Sequence, residues 1–138
     1  MADVFDKHTR SRIMASIKAK DTKPEVLVRK FLFSKGLRFR KNPKNILGKP
    51  DIVLKKHNTI VFINGCFWHA HQNCSRFVMP KTRVSFWENK FEKNKSRDKK
   101  NIDFHRSFGW NVIVVWECDI IQKKEETLKG LLKSILST

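Results

Sequence analysis

Residues 59–74 read Thr59-Ile60-Val61-Phe62-Ile63-Asn64-Gly65-Cys66-Phe67-Trp68-His69-Ala70-His71-Gln72-Asn73-Cys74. The first part is an apolar, β-branched run of strand length. The second part crowds two cysteines, two histidines and two large aromatics into one loop. Thiolate and imidazole are the ligands zinc prefers, and short spacings let a single loop supply several of them. Adjacent Phe67 and Trp68 inside a metal-stapled loop make a stiff apolar wedge. A strand emptying into such a loop places that chemistry at the end of a sheet.

Working upstream, Asp51–Lys56 is a second strand, and His57-Asn58 between the two reads as a two-residue hairpin turn. That register sets Asp51 opposite Asn64 and Ile52 opposite Ile63. Asn42–Pro50, with two prolines and a glycine, is a loop, and Leu37–Lys41 is a further strand. Thr22-Lys23-Pro24-Glu25 fits a capping box, with Thr22 as N-cap and Glu25 reaching back, and the helix runs to Gly36. Residues 1–20 form a basic arm in which Thr9 caps a short helix carrying Ile13, Met14 and Ile17. Downstream, Ser85–Phe108 is a charged helix ended by Gly109. The continuous apolar run Asn111–Trp116 predicts a buried strand, and Glu125–Leu136 a last helix. This is one α/β domain over residues 1–138, with no repeat and no linker.

The formal charge is +17, from 30 Lys+Arg against 13 Asp+Glu. Solubility does not require so much, and polyphosphate is the partner that does. A membrane is disfavoured, because no apolar run approaches spanning length and no lipidation pattern is present. The first residues lack the pattern of a signal peptide, so a cytoplasmic setting is expected. In that setting three cysteines point to thiols or a metal site rather than disulfides.

Cys66, Cys74 and Cys118 with one histidine would close a tetrahedral zinc shell. Spacing alone does not separate His69 from His71. Asp51 at a strand start, with Glu25 and His69 near, has the character of a Mg²⁺ site for phosphodiester chemistry. The plainer alternative is that Asp51 caps a loop and Glu25 only completes its capping box. The stretch Lys81–Lys100, interleaved with Phe86, Trp87 and Phe91, reads as a phosphate-contacting face or a solvated one. Asp98 within it is a salt-bridge partner or a histidine orienter.

The chain resembles the very-short-patch repair (Vsr) DNA mismatch endonucleases. The resemblance rests on Met1-Ala2-Asp3-Val4, Thr9-Arg10-Ser11, Asp21-Thr22, Gly48-Lys49-Pro50-Asp51, Gly65-Cys66-Phe67-Trp68-His69, Phe86-Trp87 and Val115-Trp116-Glu117-Cys118. It implies a restriction-endonuclease-like mixed sheet flanked by helices, an αβββαβ core with an N-terminal helix and a structural zinc loop. It implies a Mg²⁺-dependent enzyme that nicks one strand next to the thymine of a T:G mismatch in double-stranded DNA. By resemblance Asp51 and the backbone carbonyl of Ile63 hold Mg²⁺, His69 is the general base, Glu25 a supporting acid, and Asp98 the residue orienting His69. Cys66, His71, Cys74 and Cys118 are the implied zinc ligands. Phe67, Trp68 and Trp87 form the wedge, with Met14 entering from the opposite groove. A monomer is expected, with repair-pathway proteins as further partners. The family carries Thr-His where this chain has Ile63-Asn64. Ile63 keeps a backbone carbonyl, whereas Asn64 cannot titrate and is left to hydrogen-bond phosphate or water. A reduced rate or altered substrate preference is expected from that exchange. The rival readings are a non-catalytic zinc-bearing DNA-binding module and a nuclease that cuts unmismatched duplex.

Overall fold

The computed structural model describes residues 22–75 and 77–137. The basic arm, its helix and Met14 lie outside the described residues. The elements run α1 (Lys23–Ser34), β1 (Arg40–Lys41), β2 (Ile52–Leu54), β3 (Thr59–Asn64), α2 (Val84–Ser107), β4 (Asn111–Trp116), α3 (Glu117–Gln122) and α4 (Lys124–Leu136). The strands form one mixed sheet in the order β1-β2-β3-β4, antiparallel except for the parallel β3–β4 pair. The α2 crossover makes that parallel pairing possible. The expected αβββαβ core is present, followed by two C-terminal helices.

α1 starts where the capping box predicts. Thr22 Oγ1 accepts from the Glu25 N–H at 3.4 Å, and Pro24 sits in the first turn. Gly36 follows the helix with φ +79°, a left-handed conformation that glycine adopts without strain. One sheet face, with Ile52, Leu54, Val61, Ile63 and Val115, packs on Val28 and Leu32 of α1, Ile120 of α3, and Leu128, Leu131 and Ile135 of α4. Ile60, on the opposite pleat, is also fully buried, and the next residue of that face, Phe62, meets the His105 ring of α2.

Four expectations need correction. The hairpin register is Ile52↔Val61, two residues from the predicted one. A two-residue turn would force His57 to positive φ, and a type I′ turn would force Asn58 there as well. Instead Lys55–His57 forms a single 3-10 turn, and only Asn58 is left-handed, at φ 52°. A slip of two preserves which side chains face the core, whereas a slip of one would invert them. The strand expected over Leu37–Lys41 pairs only at Arg40–Lys41. β4 has the predicted bounds but lies at the sheet's edge among the described strands. Only Val112 and Val115 of it are buried, the rest being half-buried. The short helix α3 was not foreseen.

Candidate active site and metal centre

The antiparallel β2–β3 pair brings the start of β2 beside the end of β3, and α1 opens against that same end. Asp51 lies just before β2, and its Oδ2 accepts a hydrogen bond from the Ile63 N–H at 2.6 Å. Glu25, in the first turn of α1, is 4% exposed and hydrogen-bonds the Asp51 carboxyl. Two carboxyls in that contact must share a proton or a cation. Burial pushes the Asp51 carboxyl up from 3.8 to about 7. The Ile63 N–H opposes the rise, and the neighbouring Glu25 charge adds to it. Glu25 therefore does more than complete a cap.

His69 follows in the loop after β3. Its Nδ1 lies 2.5 Å from Asp98 Oδ2 on α2. A carboxylate accepts, so Nδ1 donates and the lone pair sits on Nε2. Arg97 stands 3.8 Å from the other Asp98 oxygen. Glu25, Asp51, Ile63, Asn64, His69 and Asp98 all line one open cleft of about 2170 Å³. Asn64, 8% exposed, lies at its floor beside Gly65.

α2 grips this region with a single face. Asn94 donates Nδ2 to the Trp68 carbonyl at 2.9 Å, one turn before Asp98. His105 Nε2 lies 2.6 Å from the Leu47 carbonyl. Gly48 has φ +80°, and a Cβ there would meet Asn101 Nδ2 at 2.9 Å, so the loop leading to Asp51 is pressed against the helix. Sequence reading missed Asn94, Asn101 and His105. Their signal was present: 87, 91, 94, 98, 101 and 105 advance in steps of four and three, one helical face.

Phe67 lies among Trp68, Phe77, Trp87 and Phe91, with ring centroids 5.1 to 6.2 Å away. Trp68 also meets Trp87 at 6.2 Å. Phe67 and Trp68 are half-buried and line the cleft, whereas Trp87 joins through its ring contacts. These rings form a satellite cluster outside the main core, with Arg83 stacked 4.4 Å over Phe86 at its margin.

On the other side of the loop, ligand atoms of Cys66, His71, Cys74 and Cys118 all lie within 4.8 Å of one another. Cys118 Sγ is 3.4 Å from His71 Nδ1, and the His71 ring stacks on Trp116 at 3.9 Å. Stacking orients His71 toward the thiols, whereas His69 turns to Asp98, so the geometry separates two histidines that spacing could not. Tetrahedral thiolates around zinc stand about 3.8 Å apart, given Zn–S bonds near 2.3 Å. The four donors could thus hold a metal ion with little movement. Burial pushes the Cys66 thiol up to about 12, and burial also raises Cys118. Such thiols ionise together only around a cation.

The family described as DNA mismatch endonuclease Vsr matches residues 2–76. The chain is 50% identical to the Type II nicking enzyme V.NmeAIP of Neisseria meningitidis, over 98% of this chain and 97% of the relative. It is 38% identical to the DNA mismatch endonuclease Vsr of Escherichia coli, over 98% and 86% respectively. It is 40% identical to the Type II nicking enzyme V.HpaIIP of Haemophilus parainfluenzae, over 88% and 86%. No helix among the described residues is long and apolar enough to cross a membrane.

Proposed function

The chain belongs to the Vsr family of DNA mismatch endonucleases, and from that membership we propose that it nicks one strand of duplex DNA beside the thymine of a T:G mismatch, with Mg²⁺ at Asp51 and structural zinc at the cysteines. The observation that carries this reading is the meeting of Asp51, Glu25 and the Asp98-oriented His69 in one cleft. A DNA-binding module needs cations and aromatics, but it has no use for a carboxyl pair facing an oriented imidazole.

Asp51 and the backbone carbonyl of Ile63 would hold the Mg²⁺. The pairing of Asp51 with Glu25 fits a cation, because a divalent ion replaces the proton the two carboxyls otherwise share. When bound, that ion offsets the negative charge that develops on the reacting phosphate. His69 Nε2 takes a proton from the attacking water, whose oxygen forms the new P–O bond as the P–O bond to the leaving sugar oxygen breaks, and that oxygen is protonated by solvent water. Asp98 holds the imidazole in the accepting tautomer and stabilises it once protonated. Asn64 offers its amide to a phosphate oxygen or to water. Phe67 and Trp68 enter a base step, and the unstacking costs least at a mismatch, so distortion itself contributes to selectivity. Cys66, His71, Cys74 and Cys118 would hold zinc, which fixes the loop carrying both the wedge and His69.

The test compares nicking of T:G-containing, fully paired and single-stranded DNA, with Mg²⁺ and with chelator. One-strand nicking of the mismatched duplex, abolished by chelator, is expected. Equal cutting of the paired duplex would favour a general nuclease, and binding without cutting would favour the module.

A further inference from the structure

Among the described residues, most acids lie toward the cleft end of the strands. Glu25, Asp51, Asp98 and Glu117 line the cleft. Glu125 and Glu126 occupy the first turn of α4, whose Lys124 lines the same cleft. Asp119 lies beside the cysteine cluster, and Glu88 and Glu92 belong to the first half of α2. Asp103 is paired with Lys99 at 3.2 Å. All the acids of the described residues are thereby placed; the one nearest the far end is Asp103, three residues before Arg106 on α2, and its charge is paired with Lys99.

That far end is assembled from four segments. The β1–β2 register, Arg40↔Val53, continues outward to set Arg38 opposite Lys55. Lys55 and Lys56 occupy the exposed 3-10 turn. Asn58 Nδ2 donates to the Gly109 carbonyl at 2.6 Å, which ties this turn to the end of α2 and its Arg106. Asn111 Nδ2 reaches the Ser134 carbonyl at 3.3 Å, which brings in the last turn of α4 with Lys133. Phe108, 71% exposed, follows α2 and packs against Phe104. Lys35, Arg106 and Lys133 lie at helix C-termini, where cations complement the helix dipole. Lys55 and Lys56 do not, and among the described residues they face no acid.

We propose that this far end is a second duplex-binding face, which takes the phosphate backbone of another DNA segment while the cleft holds the first. Lys55 is four residues from Asp51 along β2, about 13 Å at 3.3 Å per residue, and at the opposite end of the strand. The fully buried Ile52, Val53 and Leu54 lie between the two ends, so a straight duplex seated at the Asp51 end leaves the Lys55 end to a second segment. Point cations on an exposed turn suit phosphates, which require charge without shape. A folded acidic partner would need a broad apolar anchor, whereas the exposed rings here are the Phe104–Phe108 pair, 4.9 Å apart, and Phe33 with Arg38 over its ring, so charge dominates the face. Two faces on one small chain let a second duplex engage before the first is released, so the enzyme passes between duplexes without a free intermediate.

The experiment uses the full chain in Mg²⁺-free buffer with a labelled T:G duplex, so it is independent of cutting. Dissociation is followed against increasing unlabelled paired duplex. The rate is expected to rise at least threefold with competitor for the native chain, and to stay flat for Lys55→Gln with Lys56→Gln and Lys133→Gln. Lys55→Arg with Lys56→Arg, which keeps the charge, should retain the rise. An unchanged melting temperature for both variants shows that they fold. A native rate independent of competitor overturns the proposal, as does an undiminished rise in the glutamine variant. Equal acceleration by polyglutamate overturns the assignment to DNA.

Discussion

Asp51 is a side chain whose environment strongly alters its acidity. Burial holds its carboxyl protonated up to about 7 in the folded chain, against 3.8 when exposed. Between these values the folded state binds a proton that the unfolded state has released. This contribution to stability is complete below the unfolded value and is lost as pH rises through the folded one, at up to about 1.4 kcal/mol per pH unit. Asp51→Asn removes it. In chelator, the melting temperature of the native chain should therefore fall more steeply than that of Asp51→Asn between about pH 4 and about pH 8. Parallel curves would show that Asp51 ionises normally. Mg²⁺ should flatten the native slope by taking the place of the proton. Asp51→Ala should abolish nicking while DNA affinity stays within a few-fold or rises, because an acid facing a phosphate is gone. Normal nicking by that variant would remove Asp51 from the site. Pro50-Asp51 and the His69 block were readable as motifs. The nearness of Glu25 was read as well, but its direct hydrogen bond to Asp51 was not, because that depends on where α1 docks against the sheet.

The element that organises the cleft is α2. Its one face touches Phe67 through Phe91, the Trp68 carbonyl through Asn94, His69 through Asp98 and the Leu47 carbonyl through His105. The proposed wedge and the proposed catalytic histidine thus share one support, and the two neighbouring rings have different surroundings. Phe67 is central to its cluster, whereas Trp68 meets fewer rings. Trp68→Ala should reduce affinity for mismatched duplex about tenfold, from a stacking contribution of roughly 1–3 kcal/mol per base. Affinity for paired duplex and the melting temperature should change little. Phe67→Ala should lower the melting temperature as well. If Trp68→Ala weakens both duplexes equally, Trp68 is not a wedge. The bounds of this helix were legible within a residue at each end, since Gly109 and the charge pattern announce them. The hairpin register was not legible, because two turn chemistries compete for Lys55–Asn58 and only the packed sheet chooses between them.

Over the whole molecule, the cysteine cluster joins the loop after β3 to the start of α3. About one zinc per chain is expected, and Cys118→Ser should lower both the melting temperature and the activity, since a structural metal couples binding to folding. Zinc-free protein with an unchanged melting temperature would overturn that role. DNA affinity should fall with salt at a slope of about −0.9 per phosphate contacted. A flat response would assign the +17 charge to something other than DNA. The sequence alone determined what is local or compositional: the cap of α1, the strand run into the Cys–His loop, the excess of cations and the donor set for a metal. These follow from chain chemistry within a few residues, where propensity and spacing act directly. Only the tertiary structure decided that the Glu25 and Asp51 carboxyls hydrogen-bond directly, that one face of α2 grips the loops around the cleft, that β4 is an edge among the described strands, and that most of the described acids gather toward one end of the sheet. Each of these depends on contacts between segments distant in sequence. Their choice follows from burying apolar faces together, and local pattern carries no record of that choice.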